Sequence, residues 1–398
     1  MNCPSCHYKT VLSCKIKLPT FEHRDLTKIS DYIILKQCKR CSIIYNPNIK
    51  NVATIQKKIF LSNKDYNLSL KNNKISALKD YEYANEIFYL SNAINLNNEN
   101  LNILDVGALQ GSLLKKIRII FNKRKKNNKK LDLVGYNYSN KKNFFPNNNS
   151  IINSLKIEDC FKSNKKYNII IVINALQYVR KLDSFLSIVK NSLTAPNGFG
   201  FFVVPNSLDN ISYNFHGDEF YKFTKKNIYL LFAKNGLKVN FIKNNVNPGH
   251  LMFCAKKIKN YKKTFETKST FFELPVIKNK INNFLNSVEK LSSKFKNNQI
   301  KIFGYRINAV ILYHAMIKFH FTENKIFFLT DDNVSAGKTL NNPLFLKKLL
   351  VYRARNFLKA KLNLHAEDKI ILSYGFKRNS IFKDLLNKKY NFKKFITV

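Results

Sequence analysis

The stretch that most limits how this chain can fold is Leu101–Leu114, LNILDVGALQGSLL. An apolar-rich run enters Asp105, Gly107 and Gly111 follow at the spacing D-x-G-x-x-x-G, and a helical apolar pattern begins. That order predicts a buried parallel strand, a tight glycine turn and a helix N-terminus. Such a turn brings backbone N–H groups close to a ligand at the edge of a sheet. The spacing is neither the dinucleotide fingerprint nor the phosphate loop, and no Lys-Ser/Thr follows Gly111, which argues against a phosphate cradle. An acid at the strand end suits a cationic ligand. S-adenosylmethionine, with an ammonium and a sulfonium, is such a ligand.

From Leu101 onward, strands and helices alternate, the pattern of a doubly wound α/β sheet. Expected strands are Leu101–Val106, Leu131–Tyr136, Asn168–Ile173 and Phe199–Val204, with Leu237–Ile242 and His250–Ala255 as a closing hairpin-like pair. Helices are expected over Ser112–Phe121, Leu182–Leu193 and Lys225–Lys234, the last with Gly236 as its C-cap. Asn137 and Asn174 stand where two of these strands end, at the carboxyl edge where such sheets bind ligands. Before this region, 51–98 reads as a helical connector. After it, a long helix over Phe271–Lys296 leads to short strands at Gln299–Phe303, Lys325–Leu329 and Lys369–Ser373, a second and smaller α/β domain. Four divisions are expected: 1–50, 51–98, 99–260 and 261–398.

Five of the seven cysteines lie within the first 41 residues, and four form the pairs Cys3-Pro-Ser-Cys6 and Cys38-Lys-Arg-Cys41. Each C-x-x-C turn points two thiolates at one ion, so the two pairs predict a closed tetrahedral Cys₄ zinc site of structural role. A disulfide framework is disfavoured by the intracellular setting expected of the chain. His7 and Cys14 are incidental on this reading.

The formal charge is +44. Its excess is spread from Lys9 to Lys394, and the single dense run is Asn122–Lys130, whereas a nucleic-acid footprint clusters on one element. The charge is therefore read as compositional bias with a preference for anionic small molecules, and nucleic acid is a disfavoured partner. No apolar run approaches the ~20 residues that cross a bilayer. A cytoplasmic protein without membrane insertion is expected, its oligomeric state open.

Taken together, the modules resemble the zinc-containing sugar C-methyltransferases, which act on nucleotide-linked 4-keto deoxysugars. The resemblance covers nearly the whole chain. It implies an α/β architecture of three parts: an N-terminal zinc-ribbon-like module, a class I S-adenosylmethionine methyltransferase domain, and a C-terminal Rossmann-like domain. Cys38–Cys41 followed by Ile44-Tyr45-Asn46-Pro47 resembles the family's second knuckle, and Tyr66 with Ser69 its Y-x-x-S segment near the active site. Asp105, Gly107 and Gly111 resemble the cofactor loop, and Asn174 the Asn after the fourth strand. Gly304 with Asn308, and Asp331-Asp332-Asn333 with Gly337-Lys338, resemble segments of the C-terminal domain. The chain departs from the pattern in three places. Asn137 stands where the family has an acid holding the ribose hydroxyls, and Tyr178 replaces a His. The catalytic Y-H-E-H segment is here Phe215-His216-Gly217-Asp218-Glu219-Phe220-Tyr221-Lys222-Phe223-Thr224, with a single His.

C-methylation beside a ketone needs a base for the α-proton and a donor to the enolate oxygen. His216 is the candidate base. Glu219 or Asp218 would orient it, and Tyr221 or Tyr66 would donate to the enolate. If the base is missing, O- or N-methylation remains open to such a domain, since it rests on positioning an existing nucleophile. An RNA-binding or RNA-modifying protein and a non-catalytic member of the family are the competing expectations.

Overall fold

The structure, a computed structural model, describes residues 2–9, 11–22, 28–48, 52–55, 74–96, 100–109, 111–124, 130–138, 150–154, 161, 165–194, 197–243, 246–247, 249–258, 272–295, 300–303, 307–321, 326–330, 339–340, 349–353, 369–372 and 395–397. The chain forms two compact units. The first comprises 1–12, 37–206 and 219–271, and the second 13–36, 207–218 and 272–398. These units interleave along the sequence: 1–50 is shared between them, and the short segment 207–218 leaves the first unit for the second. Sequence patterning cannot show such an exchange, because it depends on long-range contacts and leaves no composition break.

The N-terminal strands are β1 (Val11–Ile16), β2 (Thr20–Phe21), β3 (Lys28–Ser30), β4 (Ile33–Cys38) and β5 (Ile44–Tyr45). The first unit is built on a seven-stranded sheet of β6 (Leu101–Val106), β7 (Leu131–Tyr138), β8 (Ser150–Ser154), β9 (Ile169–Ile173), β10 (Phe199–Pro205), β12 (Leu237–Ile242) and β13 (His250–Lys257). Its order is β12-β13-β10-β9-β6-β7-β8. The inner strands pair in parallel, and β13 runs antiparallel to both β10 and β12. This mixed, mostly parallel sheet is consistent with the class I methyltransferase fold. The strand order reverses between β6 and β9, which opens a crevice at their carboxyl ends. β9 (IIIVI) and β10 (FGFFVVP) are buried almost throughout because helices cover both faces, so they read as unbroken apolar runs.

On one face lie α1 (Lys74–Ala93) and α2 (Ser112–Arg124). α2 turns Leu113, Leu114, Ile117, Ile120 and Phe121 inward at helical spacing. α1 adds Tyr83, Ala84, Ile87 and Phe88 to the same core, so part of the expected connector is an integral layer of the domain. The other face carries α3 (Leu182–Ser192) and α4 (Lys225–Lys234). Thr224 and Asn227 form a capping box at the start of α4, and Asn235 is its C-cap while Gly236 follows at φ +75°. The cysteine-bearing segments pack into this core too: Cys3, Cys38, Cys41, Ile43 and Tyr45 share it with Val172, Phe202 and Phe232. They are held there by pairing of β5 with β11 (Tyr221–Lys222), where Tyr221 faces Tyr45 and Lys222 faces Ile44. A polar clamp adds to it: Ser5 Oγ donates to Asp183 at 2.6 Å, with Lys234 Nζ and Asn235 Nδ2 on the same carboxylate at 3.0 and 2.8 Å.

The second unit holds the β2–β3 pair, α5 (Leu274–Lys294), α6 (Ile307–Lys318) and a six-stranded sheet. Its strands are β14 (Ile300–Phe303), β15 (Ile326–Thr330), β16 (Thr339–Leu340), β17 (Leu349–Arg353), β18 (Lys369–Leu372) and β19 (Phe395–Thr397). The order is β16-β17-β15-β14-β18-β19, parallel except at the β16 edge. Among the described residues no helix is long and apolar enough to cross a membrane.

Candidate functional site

Three adjacent strands, β9, β6 and β7, bring Asn174, Asp105 with its glycine loop, and Asn137 to one carboxyl edge. Asp105 is buried at the end of β6, and burial followed by the charge of Asp80 pushes its carboxyl up to about 7. The loop leaves β6 with Gly107 at φ +91°, a backbone that side-chain-bearing residues rarely adopt, and enters α2 through Gly111 at φ +70°. A methyl group at Gly107 would stand 3.3 Å from the Ala175 Cβ, so the turns after β6 and β9 approach as closely as glycine permits. The N–H groups of Gly107 and Ala108 both bond the Tyr136 carbonyl, at 2.8 and 3.1 Å. Asn174 is exposed at φ +52°, its N–H bonded to the Val203 carbonyl at 2.8 Å.

Asn137 grips the backbone of the loop from the side. Its Oδ1 accepts from the Leu109 N–H at 2.6 Å and its Nδ2 donates to the Leu109 carbonyl at 2.7 Å. Asp80 is a member of this site that sequence reasoning missed. It sits on α1, accepts from the Ser112 hydroxyl at the start of α2, and is pushed up to about 6 by burial, against the nearby Lys116 and Lys79. Nothing in the sequence marks it, because the spacing from Asp80 to Asp105 has meaning only once α1 packs on α2. Two carboxyls that resist ionisation beside a glycine turn suit a ligand that brings positive charge.

The expected catalytic residues are divided. His216 belongs to the second unit, where it caps the 3₁₀ helix Ile211–Phe215. Its ring stands edge-on to Tyr213 at 5.7 Å, and Gly217 N–H bonds the Phe21 carbonyl at 2.9 Å. Glu219 and Tyr221 belong to the first unit. Glu219, 2% exposed, is ion-paired at 2.7 Å with Lys222, itself 1% exposed. The Tyr221 hydroxyl donates to the Arg180 carbonyl at 2.9 Å, and burial pushes its phenol above the ordinary range. Its proton is thus committed beside the cysteine cluster, which counts against the expected role of donor to a substrate oxygen. Tyr66, Gly304 and Asp331–Asn333 lie outside the described residues.

The four thiols of Cys3, Cys6, Cys38 and Cys41 converge, with every pair of sulfurs within 4.8 Å. Cys3 and Cys41 are 3.6 Å apart and Cys6 and Cys38 3.4 Å. A tetrahedral ion with Zn–S bonds of ~2.3 Å needs sulfurs about 3.8 Å apart. The Arg40 and Cys41 N–H groups point at the Cys38 sulfur, at 3.3 and 3.5 Å, and so favour a thiolate there. The cluster therefore fits a metal ion with no open coordination position.

No family model matches the chain, and no curated protein matches it. Solved structures with some likeness include the plantazolicin methyltransferase BamL in complex with a triazolic desmethylPZN analog and SAH (15% identity, 53% of this chain, 98% of that one, TM-score 0.40). Another is magnesium protoporphyrin IX methyltransferase (ChlM) from Synechocystis PCC 6803 with bound SAM (12%, 52%, 97%, 0.35). A third is human N-acetylserotonin methyltransferase in complex with SAM (15%, 39%, 47%, 0.31), of which this chain spans less than half the length.

Proposed function

We propose that the chain is an S-adenosylmethionine-dependent methyltransferase, that its acceptor is a nucleotide-linked keto-deoxysugar or related glycan precursor, and that the methyl group goes to carbon. The observation that carries the cofactor reading is the convergence of buried Asp105, the Gly107–Gly111 turn, Asn137 and Asn174 at the carboxyl edge of three neighbouring strands. Bound S-adenosylmethionine would supply an electrophilic methyl group and leave as a neutral thioether. Asp105 and Asp80 would offset the cofactor's positive charge, and the turn would admit its backbone-close approach. His216 would take the α-proton of the acceptor, while Glu219 with Lys222, and Tyr221, would position the segment that follows it. Zinc in the Cys₄ cluster would hold β5, and through it β11, in place, and the second unit would be a Rossmann-like domain. The acceptor reading rests on the order of modules and on the +44 charge, which favours anionic small molecules.

Calorimetry with S-adenosylmethionine tests the cofactor, and saturable micromolar binding is expected; absence of heat at millimolar cofactor would sink the reading. Mass spectrometry of nucleotide sugars incubated with labelled cofactor tests the acceptor. His216→Ala should abolish turnover there and leave cofactor affinity unchanged.

A further inference from the structure

Leu109 combines three features. It sits in the glycine turn after β6, its backbone is left-handed at φ +50°, and its side chain is 42% exposed. A branched-at-γ apolar residue does not hold that conformation without help from its surroundings. Here the help is the Asn137 carboxamide, which bonds both the N–H and the C=O of Leu109, at 2.6 and 2.7 Å. An amide makes this pair of bonds by accepting with Oδ1 and donating with Nδ2, whereas an ionised carboxylate has nothing to donate.

We propose that Asn137 is a latch of the cofactor turn and not a ligand of the cofactor's ribose, and that it holds the Leu109 side chain as an apolar wall for the purine. This rests on the S-adenosylmethionine reading given above. Asn137 is uncharged, and the loop takes one acceptor site of Oδ1 and one hydrogen of Nδ2, so the end of β7 offers the ribose hydroxyls no carboxylate, only a neutral amide already oriented by Leu109. Affinity then comes from a turn that is preformed before the cofactor arrives, since a ligand binds more weakly by the fraction of protein not in the competent state. Small-molecule sites are lined mainly by apolar side chains with a few placed polar groups, and Leu109, 42% exposed at the carboxyl edge that carries Asp105 and Asn174, supplies apolar surface there.

Calorimetry with S-adenosylhomocysteine and its 2′-deoxy and 3′-deoxy analogues separates latch from ligand. Asn137→Ala should weaken all three by a common factor of about ten. Asn137→Asp, which keeps the acceptor but loses the donor, should likewise weaken all three together. Leu109→Ala should weaken all three about five-fold. A selective loss of S-adenosylhomocysteine over its deoxy analogues in Asn137→Ala would overturn the latch, as would no loss for any of them. A gain for S-adenosylhomocysteine in Asn137→Asp would do the same, and unchanged affinities in Leu109→Ala would overturn the wall. If the wild-type chain binds none of the three, the cofactor reading itself has failed. The latch then still stands or falls on hydrogen exchange at the Leu109 amide in the unliganded chain, which should accelerate about ten-fold in Asn137→Ala and is refuted by an unchanged rate.

Discussion

Replacing Lys222 by Met would cut one of the strongest local constraints on the segment that follows His216. The Lys222 ammonium and the Glu219 carboxylate stand 2.7 Å apart and are 1% and 2% exposed. Removing the cation leaves a carboxylate almost out of contact with water, a change that costs about 3–5 kcal/mol in comparable buried pairs. Changing both partners, Glu219→Gln with Lys222→Met, removes the charges together and should return stability to within about 1 kcal/mol of the parent or above it. The double-mutant cycle should therefore show a coupling of at least about 5 kcal/mol, read by urea unfolding of the metal-loaded chain with tyrosine fluorescence. The same variants separate a positioning residue from a catalytic one. If Glu219 acts on substrate, the double variant regains stability but stays inactive. If it positions the segment, the double variant recovers turnover with stability. A single-variant loss below about 1 kcal/mol would refute the reasoning.

Three further outcomes are expected. The purified chain should carry zinc, and chelation or Cys38→Ser should lower its thermal midpoint sharply, since a structural Cys₄ site contributes several kcal/mol of folding energy; metal analysis finding no zinc would count against this. Asp105 and Asp80 are raised from 3.8 to about 7 and about 6. The folded chain thus holds protons that the unfolded chain releases, and the stability they contribute at low pH is lost as pH rises through about 4 to 7. A cationic ligand prefers the ionised carboxyls, so S-adenosylmethionine affinity should rise between about pH 5.5 and 7.5 and rise less for S-adenosylhomocysteine, which keeps the ammonium but lacks the sulfonium, whereas parallel profiles in calorimetry would refute it. Gly107→Ala should weaken cofactor binding about ten-fold with circular dichroism unchanged, because its Cβ would stand 3.3 Å from that of Ala175 at φ +91°.

Much of the first unit was legible because local rules and burial agree there. β6, α4 and β12 take the bounds that the periodicity predicts, and the hairpin of β12 with β13 forms as expected. β8 escaped notice because IINS sits in an Asn-rich stretch with a weak strand pattern, and the parallel β7 ladder supplies what its own residues lack. The i, i+3, i+4 spacing of apolar and aromatic residues in α1 marks a helix, but that Tyr83, Ala84, Ile87 and Phe88 pack into the core of the sheet is set by tertiary contacts.

The glycine turn after β6 and each C-x-x-C knuckle follow from residues within a few positions of one another, whereas the meeting of Cys3 and Cys6 with Cys38 and Cys41 is a long-range contact. What those features meet is fixed by packing. Asp80 reaches the turn because α1 packs on α2, and Glu219 finds Lys222 in a place that excludes water. Asn137 turns both ends of its amide onto Leu109, twenty-eight residues away, because β6 and β7 are neighbours in the sheet. Sequence periodicity records which face of an element is apolar; the partner across that face is chosen by packing, and the chemistry of the site depends on that choice.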